Sequence, residues 1–259
     1  MASEILSPSK IPQVLPPELH PDVEHLVTED DTPVDNIFSE KQQRLLTGPL
    51  YSSPGWAAKG RKFVALANVG LFYAIRQPPY VPDMLLSMDV ELPADLWPKA
   101  HRSYFVWEYG KPPDVVVEVV SNEEGREGTE KLAGYARIGV RYYVIYDPQR
   151  MLFNEPLRAF QLDAMSYRPM AEPLWLPGVE LGLRLWEGRY EDHENTWLRW
   201  TDAAGTPIPT GAERADREQQ RADQERQRAD QERQRADQER QRAERLAEQL
   251  RRLGVDPAE

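Results

Sequence analysis

Residues 114–121, Asp-Val-Val-Val-Glu-Val-Val-Ser, constrain the fold more than any other segment. Val115, Val117 and Val119 form one side of a strand; Asp114, Val116, Glu118 and Val120 form the other. Both sides are mostly apolar, as expected of a strand covered on both faces inside a sheet. Glu118 is the exception. An ionised carboxylate costs several kcal/mol to bury unless a cation meets it. It is therefore either a metal ligand or base at a functional site, half of a buried ion pair, or a side chain that points out at a sheet edge.

The flanking chain supplies the rest of a layered α/β unit. Asp35 or Asn36 caps a helix over 37–47, which Gly48 and Pro49 are expected to end. Strands are predicted at 63–69, 71–76 and 82–90. A helix at about 127–138 closes at Gly139, and a buried strand at 140–147 closes at Pro148. Strand, helix and strand at this spacing make a β-α-β crossover. Beyond 157, LRAFQLD, ELGLRLWEG and TWLRWTD read as an antiparallel extension ending near Pro209. The division is a flexible Pro- and acid-rich arm at 1–35, a body at 36–209 and a charged heptad-repeat helix at 210–253.

That helix follows from a seven-residue repeat, RADQERQ, with Ala215, Ala222, Ala229, Ala236 and Ala243 in register. No Gly or Pro interrupts it before Gly254, and its residues favour helix. Asp223 with Arg226, and Glu225 with Arg228, stand at i,i+3 spacing. Three or four residues after the alanines come Glu218, Arg226, Arg233 and Arg240, where a coiled-coil seam needs apolar side chains. Only Leu246, Leu250 and Leu253 offer such a seam, so the tail reads as a solvated spacer or a short homodimer contact.

Charge separates the two parts. Residues 214–252 hold 12 Arg and 10 acids, net +2, which leaves −13 of the chain's −11 on the remainder. An acidic body binds nucleic acid only through a local basic patch or a bridging metal. Arg126, Lys131, Arg137 and Arg141 are the basic group nearest the central strand; they read as a nucleic-acid contact or a solvated helix face. With no cysteine, thiolate zinc sites, iron–sulfur clusters and Cys nucleophiles are excluded. The four histidines, at 20, 25, 101 and 193, are too scattered to suggest a zinc triad. With neither an apolar run of membrane length nor a secretory leader, the expected location is cytoplasmic, away from membranes.

Asp83 opens a strand behind Pro82, and Lys131 follows Glu118 by 13 residues on the succeeding helix. Two carboxylates and a lysine converging at a sheet are the parts needed to hold Mg²⁺ and position a water for phosphodiester hydrolysis. Tyr135 and Ala136 read as helix-to-sheet packing, Asp114 as a turn or cap residue, and Trp107, Trp175, Trp186, Trp197 and Trp200 as core or edge cover.

The run PPDVVVEVVSNEEGREGTEKLAGYARIGVRYYVIYDP resembles the signature of the Uma-type restriction endonuclease family, a branch of the PD-(D/E)XK nuclease superfamily. That signature is a P-(D/E)-V-V-x-E strand, a Ser-containing turn, K-L-x-x-Y-A-x-x-G-V, and an aromatic strand ending in D-P; all stand between Pro113 and Pro148. VPD at 81–83 matches the first acidic strand, and the resemblance spans roughly 35–200. It implies an α-β-β-β-α-β restriction-endonuclease-like core. It also implies a DNA endonuclease dependent on Mg²⁺ or Mn²⁺, with Asp83 and Glu118 as metal ligands. The Val119 carbonyl completes the protein ligands, and Glu40 contacts the metal or its waters. Position 120 is Val where the superfamily places lysine, so Lys131 must reach back from the helix. The alternative is a nuclease-fold scaffold with chemistry weakened or lost, using its tail for partner interaction.

Overall fold

The computed structural model describes residues 16–26, 36–56, 60–122 and 127–252. Its contacts divide the chain into two units, Met1–Thr210 and Gly211–Glu259. Of the arm, residues 1–15 and 27–35 lie outside the described residues; between them Val23 is buried beside Phe72 and Phe105.

In the first unit, helix α1 (Ile37–Ser52) is followed by β1 (Phe63–Ala67), β2 (Leu71–Phe72), β3 (Met84–Met88), β4 (Tyr104–Phe105) and a single turn, α2 (Val106–Tyr109). Then come β5 (Val115–Val119), α3 (Leu132–Ile138), β6 (Tyr142–Tyr146), β7 (Leu157–Asp163) and β8 (Ser166–Pro169). The extension holds β9 (Leu174–Leu176), β10 (Leu181–Tyr190) and β11 (His193–Thr201). The main sheet runs β1-β3-β5-β6-β7-β8. Only β5 and β6 pair in parallel within it, joined through α3. A second antiparallel sheet has the order β11-β10-β9.

Every β5 residue is buried, as its two-sided apolar pattern requires. Val115, Val117 and Val119 join one core with Leu46 and Leu50 of α1 and Leu181, Leu198 and Trp200 of the second sheet. Val116 and Val120 join the other, with Tyr135, Val140, Tyr143 and Ile145. The helix after β5 ends at Gly139, whose φ of 93° lies in the left-handed region that glycine enters without a Cβ clash.

Three expectations are revised. Asn36 caps α1, its side chain accepting from the Ser39 amide at 2.9 Å, but the helix continues through Pro49 to Ser52. Leu50 is fully buried, and that burial outweighs the hydrogen bond Pro49 cannot donate. The predicted strand at 71–76 shrinks to the two residues of β2, which leave the main sheet to pair in parallel with β4. The helix predicted from 127 opens with a π-helical turn, Glu127–Lys131, before the α3 geometry begins.

The second unit is α4 (Gly211–Arg252), 42 residues with none buried. Its ion pairs are i,i+4, including Arg214–Glu218, Arg240–Glu244 and Arg252–Glu248, while Asp223 is bonded by Gln219. Leu246 and Leu250 are exposed, and Leu253 lies outside the described residues. Among the described residues, no helix is long and apolar enough to cross a membrane.

Candidate active site

The antiparallel register of β3 against β5 pairs Met84 with Val117 and Leu85 with Val116. One step further along that register sets Asp83 opposite Glu118. Both are buried, Asp83 at 7% exposure and Glu118 at 2%. Because β3 begins at Met84, the Val119 amide lies beyond its backbone ladder. The Asp83 side chain takes over, its Oδ2 accepting from Val119 N at 2.8 Å. Its Oδ1 accepts from Gln43 Nε2 of α1 at 2.7 Å.

Glu118 faces α3. Its Oε2 accepts from Lys131 Nζ at 2.9 Å and its Oε1 from the Tyr135 hydroxyl at 2.6 Å. Lys131 Nζ also donates to Glu127 Oε1 at 3.0 Å, so one ammonium bridges two carboxylates. The π-helical turn places Glu127 and Lys131 together, and the Tyr143 hydroxyl pins that turn by donating to the Glu127 carbonyl at 3.0 Å. Turns of this kind recur at functional sites, where an extra residue re-aims side chains. The second Glu127 oxygen, Oε2, is buried and has no hydrogen-bond partner among the described residues.

Burial pushes the Glu118 carboxyl up to about 8; Lys131 opposes the rise, Asp83 adds to it, and the Tyr135 hydroxyl opposes it. Burial acts to lower Lys131, but Glu118 and Glu127 overcome this and raise its ammonium above the ordinary lysine value. Lys131 is thus held cationic, a fixed donor rather than a proton acceptor. The Tyr135 hydroxyl is raised well above its ordinary value, by burial first and then by Glu118, and stays protonated.

Asp83, Glu118 and Lys131 therefore come together, and the Val119 backbone is part of the cluster. Glu40 is elsewhere. Its carboxylate pairs with Arg44 at 2.6 Å, and Arg44 and Lys41 both bind Glu191 in the β10–β11 turn at 2.6 and 2.7 Å. Glu40 thus belongs to an ion-pair cluster tying α1 to the second sheet, and the α1 residue that touches the acidic pair is Gln43. Arg126 lies outside the described residues, and Arg137 is exposed on α3.

Sequence reasoning missed three participants: Gln43, Glu127 and the Tyr135 hydroxyl. Glu127 and Lys131 at i,i+4 across a helix start were a legible signal. Gln43 gave none, because a glutamine in an amphipathic helix reads as surface.

Among the described residues, no three His, Cys, Asp or Glu side chains form a ready-made metal cluster. Two carboxylates and a carbonyl still suit Mg²⁺, which keeps several waters and takes one or two carboxylates plus substrate phosphate. The burial and mutual repulsion that raise Glu118 are also what a divalent cation relieves.

No curated protein matches this chain. The sequence profile of the Uma2 family matches residues 30–185, which span α1, the main sheet, α3 and the acidic cluster. With more than half its length under that match, the chain belongs to the Uma2 family, described as "putative restriction endonuclease".

Proposed function

We propose that the first unit is a metal-dependent DNA endonuclease working in the cytoplasm and hydrolysing phosphodiester bonds at Asp83, Glu118 and Lys131. The observation that carries this reading is the placing of Asp83 opposite Glu118, with Lys131 Nζ 2.9 Å from Glu118. Asp83, Glu118 and the Val119 carbonyl would hold Mg²⁺ or Mn²⁺; Glu40 is left outside this set. A divalent ion bound there would polarise the phosphodiester and stabilise the charge developing on its oxygens.

The protein's own groups do the positioning. Gln43 and the Val119 amide fix the Asp83 carboxylate, and Tyr135 fixes that of Glu118. Lys131, kept cationic, donates to the attacking water or a non-bridging phosphate oxygen and balances negative charge in the transition state. Glu127 keeps the lysine aimed. Two tail helices paired through Leu246 and Leu250 would bring two such sites to one duplex, and sedimentation with and without residues 211–259 tests that pairing.

The test of the main reading is nicking of supercoiled plasmid with Mg²⁺ or Mn²⁺, beside Glu118→Gln and Asp83→Asn, with calorimetric titration of the metal. Metal binding and nicking lost in both variants support it. A scaffold reading has its own support, since every oxygen of Asp83 and Glu118 already accepts a protein hydrogen bond. Absence of both metal binding and nicking in the unmodified protein would decide for the scaffold.

A further inference from the structure

An open groove of about 520 Å³ lies where β6 ends against β10 and β11, lined in part by Tyr146, Arg150, Arg184, Trp186 and Glu187. Its nearest wall adjoins the site. Tyr146 is the register partner of Val119, whose amide holds Asp83. The groove thus starts at the strand beside β5, on the sheet face of Val119 and Tyr146, with the Glu118 side chain on the other face, towards α3.

Three features suit it to a nucleic-acid strand. The first is charge. Arg150 and Arg184 make no ion pair among the described residues, and they face one acid, Glu187, in the lining. On a first unit whose residues 1–210 carry a net charge of −10, these two guanidiniums are local cations of the kind that phosphate contact requires.

The second is a rigid mount. Buried Asp147 accepts from the amides of Met151, Leu152 and Phe153 at 2.9, 2.8 and 3.0 Å, building the loop that presents Arg150. Arg150 itself has a φ of 55°, an uncommon conformation for a residue with a Cβ, held there by this loop.

The third is an aromatic surface. A Cβ at position 188 would stand 2.2 Å from Cζ2 of Trp186, so Gly188 is what lets the indole lie along β10. The buried Arg199 guanidinium sits 4.6 Å from the Trp186 ring centroid and helps fix it. A fixed aromatic ring beside cations is the combination that seats a base next to its phosphates.

We propose that this groove is the bed for the DNA strand flanking the cut, with Arg150 and Arg184 on successive phosphates and Trp186 under a base. The proposal rests on the nuclease reading above and assigns the contacts to the flanking strand to this groove, apart from Lys131 at the cut itself and from the exposed Arg137 of α3.

Fluorescence anisotropy with a labelled duplex of about 20 base pairs, in the Glu118→Gln background that prevents cleavage, tests it over about 50 to 200 mM NaCl. Two lost phosphate contacts flatten the slope of log K against log salt by about 1.8, so the Arg150→Ala/Arg184→Ala variant loses about tenfold less affinity across that range. Trp186→Ala weakens binding and leaves the salt slope unchanged. Arg137→Ala, on α3, changes neither. Thermal melts by circular dichroism confirm that each variant is folded.

If the parent binds DNA and the double variant keeps its affinity and slope, the groove assignment is wrong and the nuclease reading stands. An effect of Arg137→Ala in place of the groove variant moves the contact to α3 and overturns the proposal. No DNA binding by the parent at any salt overturns the groove proposal, while the nuclease reading is decided separately by nicking with the unmodified protein.

Discussion

The two units use the same chemical pair in opposite ways. In the first, Glu118 and Lys131 meet at 2.9 Å with the glutamate side chain 2% exposed. In the second, Arg240 and Glu244 meet at 3.1 Å with side chains 79% and 64% exposed. Water screens the α4 pair, which is worth a few tenths of a kcal/mol. Glu118 has given up its hydration, so removing Lys131 leaves its carboxylate without a cation. Charge on α4 keeps a long helix solvated; the Glu118 charge lies where helix and sheet have excluded water. The contrast yields a graded set of expectations.

Among single substitutions, the largest loss is expected at Lys131. Its replacement by Met strands Glu118 and Glu127 together. It should destabilise the body by about 3 kcal/mol at pH 9, less at pH 6, where Glu118 escapes by taking a proton. Urea unfolding at the two pH values measures this. Equal losses at both would show that the pair is not a buried charge pair.

The unmodified, metal-free protein should show the same carboxyl through its pH dependence. The folded value is about 8 against an ordinary 4.5. Between those values the folded state keeps a proton that the unfolded chain has released, so stability falls as pH rises through the window and levels off above it. Lys131 contributes no slope there, because its folded and unfolded values both lie above it. The fall is on the order of 5 kcal/mol, and Glu118→Gln should remove it. Identical profiles for the two proteins would place the titration elsewhere.

Gln42 sharpens the comparison from the neutral side. Its amide pairs with both backbone groups of Leu198, Nε2 to the carbonyl at 2.8 Å and Oε1 from the amide at 3.0 Å. It thereby closes the free edge of β11 with a side chain from α1. Gln42→Ala leaves two buried backbone groups unmet and should cost about 2 kcal/mol, read as a lower urea midpoint.

The smallest effect belongs to α4. Arg240→Gln should lower helicity slightly, by about 0.3 kcal/mol, and leave the urea midpoint of the body unchanged. Removal of 211–259 should leave that midpoint unchanged too. A shift in it would show that the tail contributes to the body's stability.

How far the site could be read in advance depended on the kind of signal. Glu118 stood out because a charge inside a valine run contradicts its own surroundings, and Asp83 because a proline-led acid opens a strand. Lys131 became a candidate through its spacing on the next helix. Glu127 carried a spacing signal that drew no reading, and Gln43 carried none; its contact with Asp83 spans 40 residues. Tyr135 was legible as packing but not as a donor, because a helix-face tyrosine reads the same whether its hydroxyl meets solvent or a carboxylate.

By itself, the sequence determined those features whose cause is local. Two-sided burial of β5 follows from its valines, the end of α3 from Gly139, the crossover from strand–helix–strand spacing, and the solvated tail from a repeat with no apolar seam. Only the tertiary structure decided the rest: that β2 leaves the main sheet for β4, that α1 runs through Pro49 because Leu50 is buried, and that Gln43 rather than Glu40 reaches the acidic pair. Periodicity reports which face of an element is covered. It does not report what covers it, because that depends on contacts between residues far apart in the chain.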